Sequence, residues 1–191
     1  YLVSEEKIRL CHMIHDLQRP IIAASQKNSV SLYISIPFCP SRCSYCSFVS
    51  HSIASKAARQ MLPEYVDNLV KEIDFTAKMI AELGLKLETV YVGGGTPTTL
   101  SAEQLRQVCG EIAACFDLSA LREYTVEAGR ADTITEEKLR ALKEAGVTRI
   151  SINPQTFNDD VLAAIGRKHT AAEAIHCFEL ARRIGHGCIN M

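Results

Sequence analysis

The sequence predicts an α/β fold built on a parallel β-sheet, either open or closed as a barrel. Short apolar segments with the two-residue period of a strand alternate along the 191 residues with longer segments of helical period. This alternation is typical of βαβ units, in which a helix returns the chain so that the next strand runs parallel to the first. The predicted strands span residues 30–36, 89–92, 123–127, 147–152 and 188–191.

The helices between these strands carry start and stop signals. Two of them open with a capping box, in which a hydroxyl residue is followed three positions later by Gln or Glu: Ser101 with Gln104, and Thr170 with Glu173. Glycine, which readily adopts the left-handed conformation that ends a helix, follows three of the helical segments. We therefore predict helices over 64–83, 136–145 and 170–184, closed by Gly84, Gly146 and Gly185.

Residues 5–18 predict a further helix ahead of the first strand, because apolar residues recur there at helical spacing. We expect two parts, a lead-in helix and linker over 1–28 and an α/β core over 29–191. Since the chain begins at Tyr1 rather than Met and ends inside a predicted strand, we expect a segment of a longer protein whose core is incomplete at its C-terminus.

Composition narrows the classes of function. Lys and Arg number 21 against 22 acids, so no basic surface predicts a nucleic acid or an anionic membrane as partner. No apolar run approaches the length that a membrane-spanning helix needs, and the first residues lack a signal-peptide pattern, so we expect a cytoplasmic protein that acts on a small molecule. Of the eight cysteines, three are clustered and five are scattered, which favours a metal site over a disulfide framework.

Cys39, Cys43 and Cys46 form the motif C-x3-C-x2-C directly after the first predicted strand. A structural zinc site normally has four ligands from two paired motifs, and here His51 is the nearby candidate for a fourth. Three thiolates on one loop suit a 4Fe-4S cluster whose fourth iron stays open. The missing second pair favours the cluster over zinc.

Gly93, Gly94 and Gly95 follow the second predicted strand and precede Thr96. They lack the pattern of a phosphate-binding P-loop or a dinucleotide fingerprint. The glycines are consistent either with a strand-to-helix turn or with a ligand that approaches the backbone closely.

Two polar residues follow the next two strands, Glu127 at the end of the third and Gln155 just beyond the fourth. The cysteines, the glycines, Glu127 and Gln155 thus all lie at the carboxyl ends of successive strands. Parallel α/β proteins assemble their sites at this edge. We therefore expect one site there.

The cysteine motif, with Tyr45 just before its third cysteine, resembles the radical S-adenosylmethionine (SAM) superfamily. The resemblance implies a partial (β/α)6 barrel, here truncated within its fifth strand. It also implies that the open iron binds SAM and that an external electron donor supplies the electron that yields a 5'-deoxyadenosyl radical.

Residues 33–48, 91–98, 124–130 and 151–170 are similar to the oxygen-independent coproporphyrinogen III oxidase group, particularly its HemZ-type branch. This resemblance implies oxidative decarboxylation of two propionates of coproporphyrinogen III to vinyl groups, with the porphyrinogen as small-molecule substrate. A related branch, the heme chaperones, is the alternative. Ser35 and Ser47 depart from the pattern of the best characterised oxidases, which have His and Cys near these positions. The resemblance assigns these residues to SAM contacts: Tyr33, Tyr45, Gly94, Gly95, Thr96, Glu127, Gln155 and Arg167.

The remaining cysteines and histidines are predicted to have ordinary structural roles. The cysteines outside the motif lie in periodic apolar segments and are expected to behave as small apolar residues. The histidines on helices or at their ends lack a paired ligand and are expected in the core or on the surface. The cysteines are Cys11, Cys109, Cys115, Cys177 and Cys188, and the histidines are His12, His15, His176 and His186.

Overall fold

The computed structural model describes residues 2–48 and 50–191 and confirms the α/β class. Within these residues a five-stranded parallel sheet has the order β1-β4-β5-β6-β7, and a separate pair joins β2 to β3. The strands are β1 (Ser29–Ile36), β2 (Phe38–Cys39), β3 (His51–Ser52), β4 (Lys86–Gly94), β5 (Glu123–Gly129), β6 (Arg149–Ile152) and β7 (Cys188–Asn190).

The register brings the carboxyl ends of the strands to one edge. Ile36 at the end of β1 pairs with Gly94 at the end of β4, and Gly129 at the end of β5 pairs with Ile152 at the end of β6. A bulge lies between Glu127 and Gly129, so β5 runs two residues beyond the predicted end at Glu127. Bulges often re-aim side chains beside a site.

One face of the sheet is covered by helices and forms the core. Val90, Val92, Val126 and Ile150 are at most 3% exposed, and burial of each such side chain stabilises the fold by about 1.5–3 kcal/mol. The helices are α1 (Glu5–Ala23), α2 (Lys56–Glu82), α3 (Ala102–Cys115), α4 (Glu136–Glu144), α5 (Asp159–Ala164) and α6 (Ala171–Ile184).

The predicted helix signals are present in three dimensions. Both capping boxes form with reciprocal hydrogen bonds, at the start of α3 and of α6. Gly185 ends α6 in the left-handed conformation, with a φ of 100°. The side-chain caps of Ser101 and Thr170 each contribute about 1 kcal/mol to helix stability.

The predicted start of α2 at residue 64 was wrong. The helix begins at Lys56, eight residues earlier, and carries Pro63 in its interior. Proline is common in the first turn of a helix, so the sequence pattern resembles a start at this point. The turns of α2 before residue 64 are stabilised because Ala58 is buried in the core and Leu62 packs against the core.

The lead-in helix α1 forms, five residues longer than predicted, but it lies outside the core. None of residues 5–23, all of which the structure describes, is buried, and Arg122 ties the end of the helix to the sheet by donating to Ile21 O and Ser25 Oγ. No helix in the described part of the chain combines the length and apolarity needed to cross a bilayer.

The scattered cysteines divide between core and surface. Cys109 and Cys177 are buried as predicted, and Cys115 is half-buried against the core. Cys11 on α1 and Cys188 on β7 are exposed, so their prediction as packed apolar residues was wrong. Both elements lie at margins of the described fold, where periodicity does not guarantee a packing partner. The helix-associated histidines are exposed except His186, which is buried with Nε2 3.0 Å from Leu139 O.

Candidate active site

A cavity of about 230 Å³ opens at the carboxyl edge of the sheet, and every residue predicted to bind metal or cofactor lines it. The structure therefore brings together residues from five separate segments, while their roles as ligands stay predictions. Four lining residues were not predicted from the sequence. They are Phe48, Gly129, Arg130 and Asn153.

The cysteine loop is held at its base and near its middle by backbone hydrogen bonds. The short β2–β3 pair closes its base, where His51 N donates to Pro37 O at 2.8 Å and Ile53 N donates to Cys39 O at 2.9 Å. On the other side Ser44 N donates to Ile165 O at the end of α5, at 3.2 Å. These bonds position the three thiols over the edge of the sheet.

The surroundings of the three cysteines suit a cluster better than a zinc ion. All three are free, partly exposed thiols that face the same cavity. His51, the candidate fourth zinc ligand, instead lies on β3 with its ring 5.7 Å from that of Phe38, and it lines a neighbouring cavity that Cys39 reaches but Cys43 and Cys46 do not. Three thiolates without that histidine match an iron-sulfur cluster with one open iron.

The glycine segment allows the sheet edge and the cysteine loop to approach each other closely. A Cβ at Gly95 would lie 2.7 Å from Phe38 O and 2.9 Å from Cys39 Sγ. Gly94 has a φ of +104°, a backbone conformation that residues other than glycine rarely adopt. The glycines are thus more than a turn, since they let the Thr96 hydroxyl lie 3.4 Å from Cys39 Sγ.

Glu127 is oriented by a residue that sequence analysis missed. Tyr91 on β4 donates its hydroxyl to Glu127 Oε1 at 2.6 Å, and its ring stacks on Tyr33 with centroids 5.8 Å apart. Burial and the bond to Glu127 raise the pKa of Tyr91 to about 12. The sequence alone gives no sign of this role, because the pairing of Tyr33 with Tyr91 in neighbouring strands follows from the register of the sheet.

This hydrogen bond predicts a loss of stability at high pH. Because the folded pKa of Tyr91 lies above its unfolded value of about 10, the stabilising effect of the protonated phenol is complete below pH 10 and is lost as pH rises through 12. We expect Tyr91→Phe to reduce the free energy of unfolding by about 1 kcal/mol at pH 9. Denaturant unfolding of both proteins should show this difference shrinking towards pH 12, and a constant difference would contradict the prediction.

Gln155 and Arg167 complete the far side of the cavity. Gln155 has a φ of +67°, a strained conformation of the kind that clusters at functional sites. Buried His169, which was not singled out from the sequence, places Nε2 3.3 Å from Pro154 O beneath this turn. Arg167 donates from Nη2 to the Tyr45 hydroxyl at 2.7 Å.

Arg167 also supplies a test of whether the cavity fits a polar ligand. Its Nε and Nη1 are buried and have no hydrogen-bond partner among the described residues. A buried donor without a partner costs free energy, so such groups usually form hydrogen bonds to a ligand or to water. Together with three thiols and the glycine edge, they fit a cluster with a bound cofactor that has carboxylate or hydroxyl groups.

Comparison with known proteins agrees with this geometry. The family model of the Radical SAM superfamily matches residues 33–191. The chain is 42% identical over 194 residues to the oxygen-independent coproporphyrinogen-III oxidase-like protein HemZ of Bacillus subtilis (strain 168), covering 100% of the chain and 38% of that relative. It is 43% identical over 162 residues to the heme chaperone HemW of the same strain, covering 84% and 41%.

A solved structure gives the same result. The chain superposes on coproporphyrinogen III oxidase (HemN) from Escherichia coli, a radical SAM enzyme, with a TM-score of 0.73 and 25% identity, over 89% of this chain and 38% of that one. The chain thus spans about two fifths of the length of these relatives. It belongs to the radical SAM superfamily, whose members use a 4Fe-4S cluster and SAM, and within it to the group of coproporphyrinogen III oxidases and HemW.

Proposed function

We propose that this chain is the SAM-binding core of an oxidoreductase that decarboxylates propionate side chains of coproporphyrinogen III. The observation that carries the proposal is the convergence of the predicted residues on one cavity at the carboxyl edge of the sheet. Relatives named as oxidases, or as oxidase-like, support the choice of substrate.

The thiols and the glycine edge have distinct roles in this proposal. Cys39, Cys43 and Cys46 each bind one iron, which leaves the fourth iron for SAM. Gly94 and Gly95 keep the cavity wall free of side chains, so that backbone groups reach the cofactor.

The polar side chains orient SAM. The two unpaired donors of Arg167 suit a carboxylate or a pair of hydroxyls. Glu127 has one oxygen held by Tyr91, which leaves the other to accept from the ligand. Tyr33, Tyr45, Thr96 and Gln155 complete the contacts around the cavity.

A 4Fe-4S cluster on Cys39, Cys43 and Cys46 with SAM in the adjoining cavity would supply a 5'-deoxyadenosyl radical, and a propionate side chain would then lose a hydrogen atom, carbon dioxide and one electron to become a vinyl group. An external electron donor would have to supply the electron that starts this chemistry, and an external acceptor would take the electron that the substrate releases. The role of the chain is to hold the cofactor and the substrate in place, because the reacting groups must lie within a few ångströms of one another.

A second candidate is a heme chaperone that keeps the cluster and the SAM pocket but delivers heme. The 43% identity to HemW favours it, since that relative is named for this role. Ser47 and Phe48, which follow Cys46, are compatible with either function, and Phe48 lines the cavity.

One experiment separates the two functions. The protein that contains this chain is reconstituted anaerobically, reduced with dithionite, and given SAM with coproporphyrinogen III or with heme. We expect 5'-deoxyadenosine together with vinyl product, and a reaction without SAM is the control. Stable heme binding without vinyl product would assign the chaperone function, whereas one tightly held zinc without iron would exclude both.

A further inference from the structure

We propose that Arg130 is a positioning residue that raises the reduction potential of the cluster on Cys39, Cys43 and Cys46. The inference rests on the proposed function, because it needs a cluster on these thiolates. Its basis is a buried guanidinium beside one of them. The Arg130 side chain is 4% exposed, and its Nη1 lies 3.6 Å from Cys43 Sγ.

Asp132 fixes the orientation of this guanidinium. Nε and Nη2 of Arg130 donate to Oδ1 and Oδ2 of Asp132, each at 2.9 Å. A two-pronged pair of this kind holds the planar group in one orientation. The remaining nitrogen, Nη1, therefore points at the cysteine loop, where it also donates to Ser41 O at 3.2 Å.

Fold stability alone does not explain a buried cation at this position. The cost of removing two charges from water often exceeds the gain from pairing them, and apolar side chains of similar volume are frequently as stable. A guanidinium is effectively always protonated in proteins, and Asp132 pairs with that of Arg130 through both carboxylate oxygens. The positive charge is thus retained beside the thiolates.

A fixed charge at a cluster thiolate changes the energy of reduction. The reduced cluster carries one more negative charge than the oxidised cluster, so a nearby cation and hydrogen-bond donor stabilise the reduced form more. Arg130 therefore makes the cluster easier to reduce. Asp132 acts in the opposite sense, because its carboxylate offsets part of that positive charge.

Two variants should consequently move the potential in opposite directions. Arg130→Gln removes the charge but keeps an amide donor, and Asp132→Asn removes the counter-charge of Arg130. In a redox titration of the reconstituted protein followed by electron paramagnetic resonance, Arg130→Gln should lower the equilibrium constant for reduction about tenfold, a shift of about 59 mV to more negative potential. Asp132→Asn should shift the midpoint to more positive potential.

Arg140→Gln is the matched control. Arg140 pairs with Glu136 on the surface of α4, where both side chains are 56% exposed, so the same substitution there should leave the midpoint unchanged. Iron content is measured on every sample, so that loss of the cluster is not mistaken for a shift.

The outcomes distinguish this inference from the proposed function. A wild-type protein that takes up no iron overturns both. A wild-type cluster with an unshifted Arg130→Gln midpoint, or with shifts of the same sign in both variants, overturns the role of Arg130 alone. If Arg130→Gln holds no iron, Asp132→Asn decides: a positive shift supports the inference, and an unchanged midpoint overturns it.

Discussion

Replacing Cys43 with alanine is expected to abolish iron binding and SAM cleavage. The variant keeps the Cβ of Cys43 and the backbone bonds that hold its loop, so the fold should persist while one of three thiolates is lost. Removing a residue that hydrogen-bonds to a metal ligand typically costs 10–100-fold in metal affinity or activity. Loss of a ligand itself should therefore reduce SAM cleavage more than about 100-fold, measured as 5'-deoxyadenosine formed after dithionite reduction.

Cys11→Ala is the control for this experiment. Cys11 is also a free thiol, but it is exposed on α1 and does not line the cavity. The control should match the wild-type protein in iron content, sulfide content and cleavage rate. Full activity in Cys43→Ala, with iron still bound, would remove the cysteine motif from the mechanism.

The placement of the cysteines, Glu127 and Gln155 was predictable because two simple rules act together. Two-residue periodicity located the strands, and parallel strands bring their carboxyl ends to one edge. The position of a residue along its strand therefore sufficed to place it at the site. The bulge after Glu127 moved the end of β5 by two residues without removing Glu127 from the cavity.

Residues that act through a neighbour were not predictable in the same way. The role of Tyr91 depends on its register with Tyr33 and on the reach of its hydroxyl to Glu127. Arg130 follows β5 in sequence but contacts a loop 87 residues earlier. Such contacts depend on side-chain direction across separate elements, which a single sequence does not specify.

The lead-in helix shows a related limit. Helical periodicity correctly predicted that residues 5–18 form a helix, but it does not identify what an apolar stripe packs against. The structure places these residues outside the core, with Ile14 and Leu17 exposed. Amphipathic spacing thus predicted the secondary structure and not the burial.

Gly95→Ala is expected to disrupt the site through a single added methyl group. The new Cβ would lie 2.7 Å from Phe38 O and 2.9 Å from Cys39 Sγ, well inside normal contact distance. Phe38 is 1% exposed and paired in β2, so its carbonyl cannot move without displacing the base of the cysteine loop. Overpacking of this kind costs about 1–3 kcal/mol, which denaturant unfolding will measure.

The Gly95→Ala substitution should also slow SAM cleavage. A displacement of about 1 Å at a reacting centre can cost on the order of 100-fold in rate, so we expect SAM cleavage to fall by that factor in Gly95→Ala even where the protein remains folded. Gly110→Ala is the matched control, since a Cβ at this exposed position on α3 meets nothing within 4 Å. It should stabilise the protein by about 0.5–1 kcal/mol and leave cleavage unchanged. Wild-type iron content and cleavage in Gly95→Ala would show that the close approach of the sheet edge to Cys39 is not required, and that the glycines serve the turn alone.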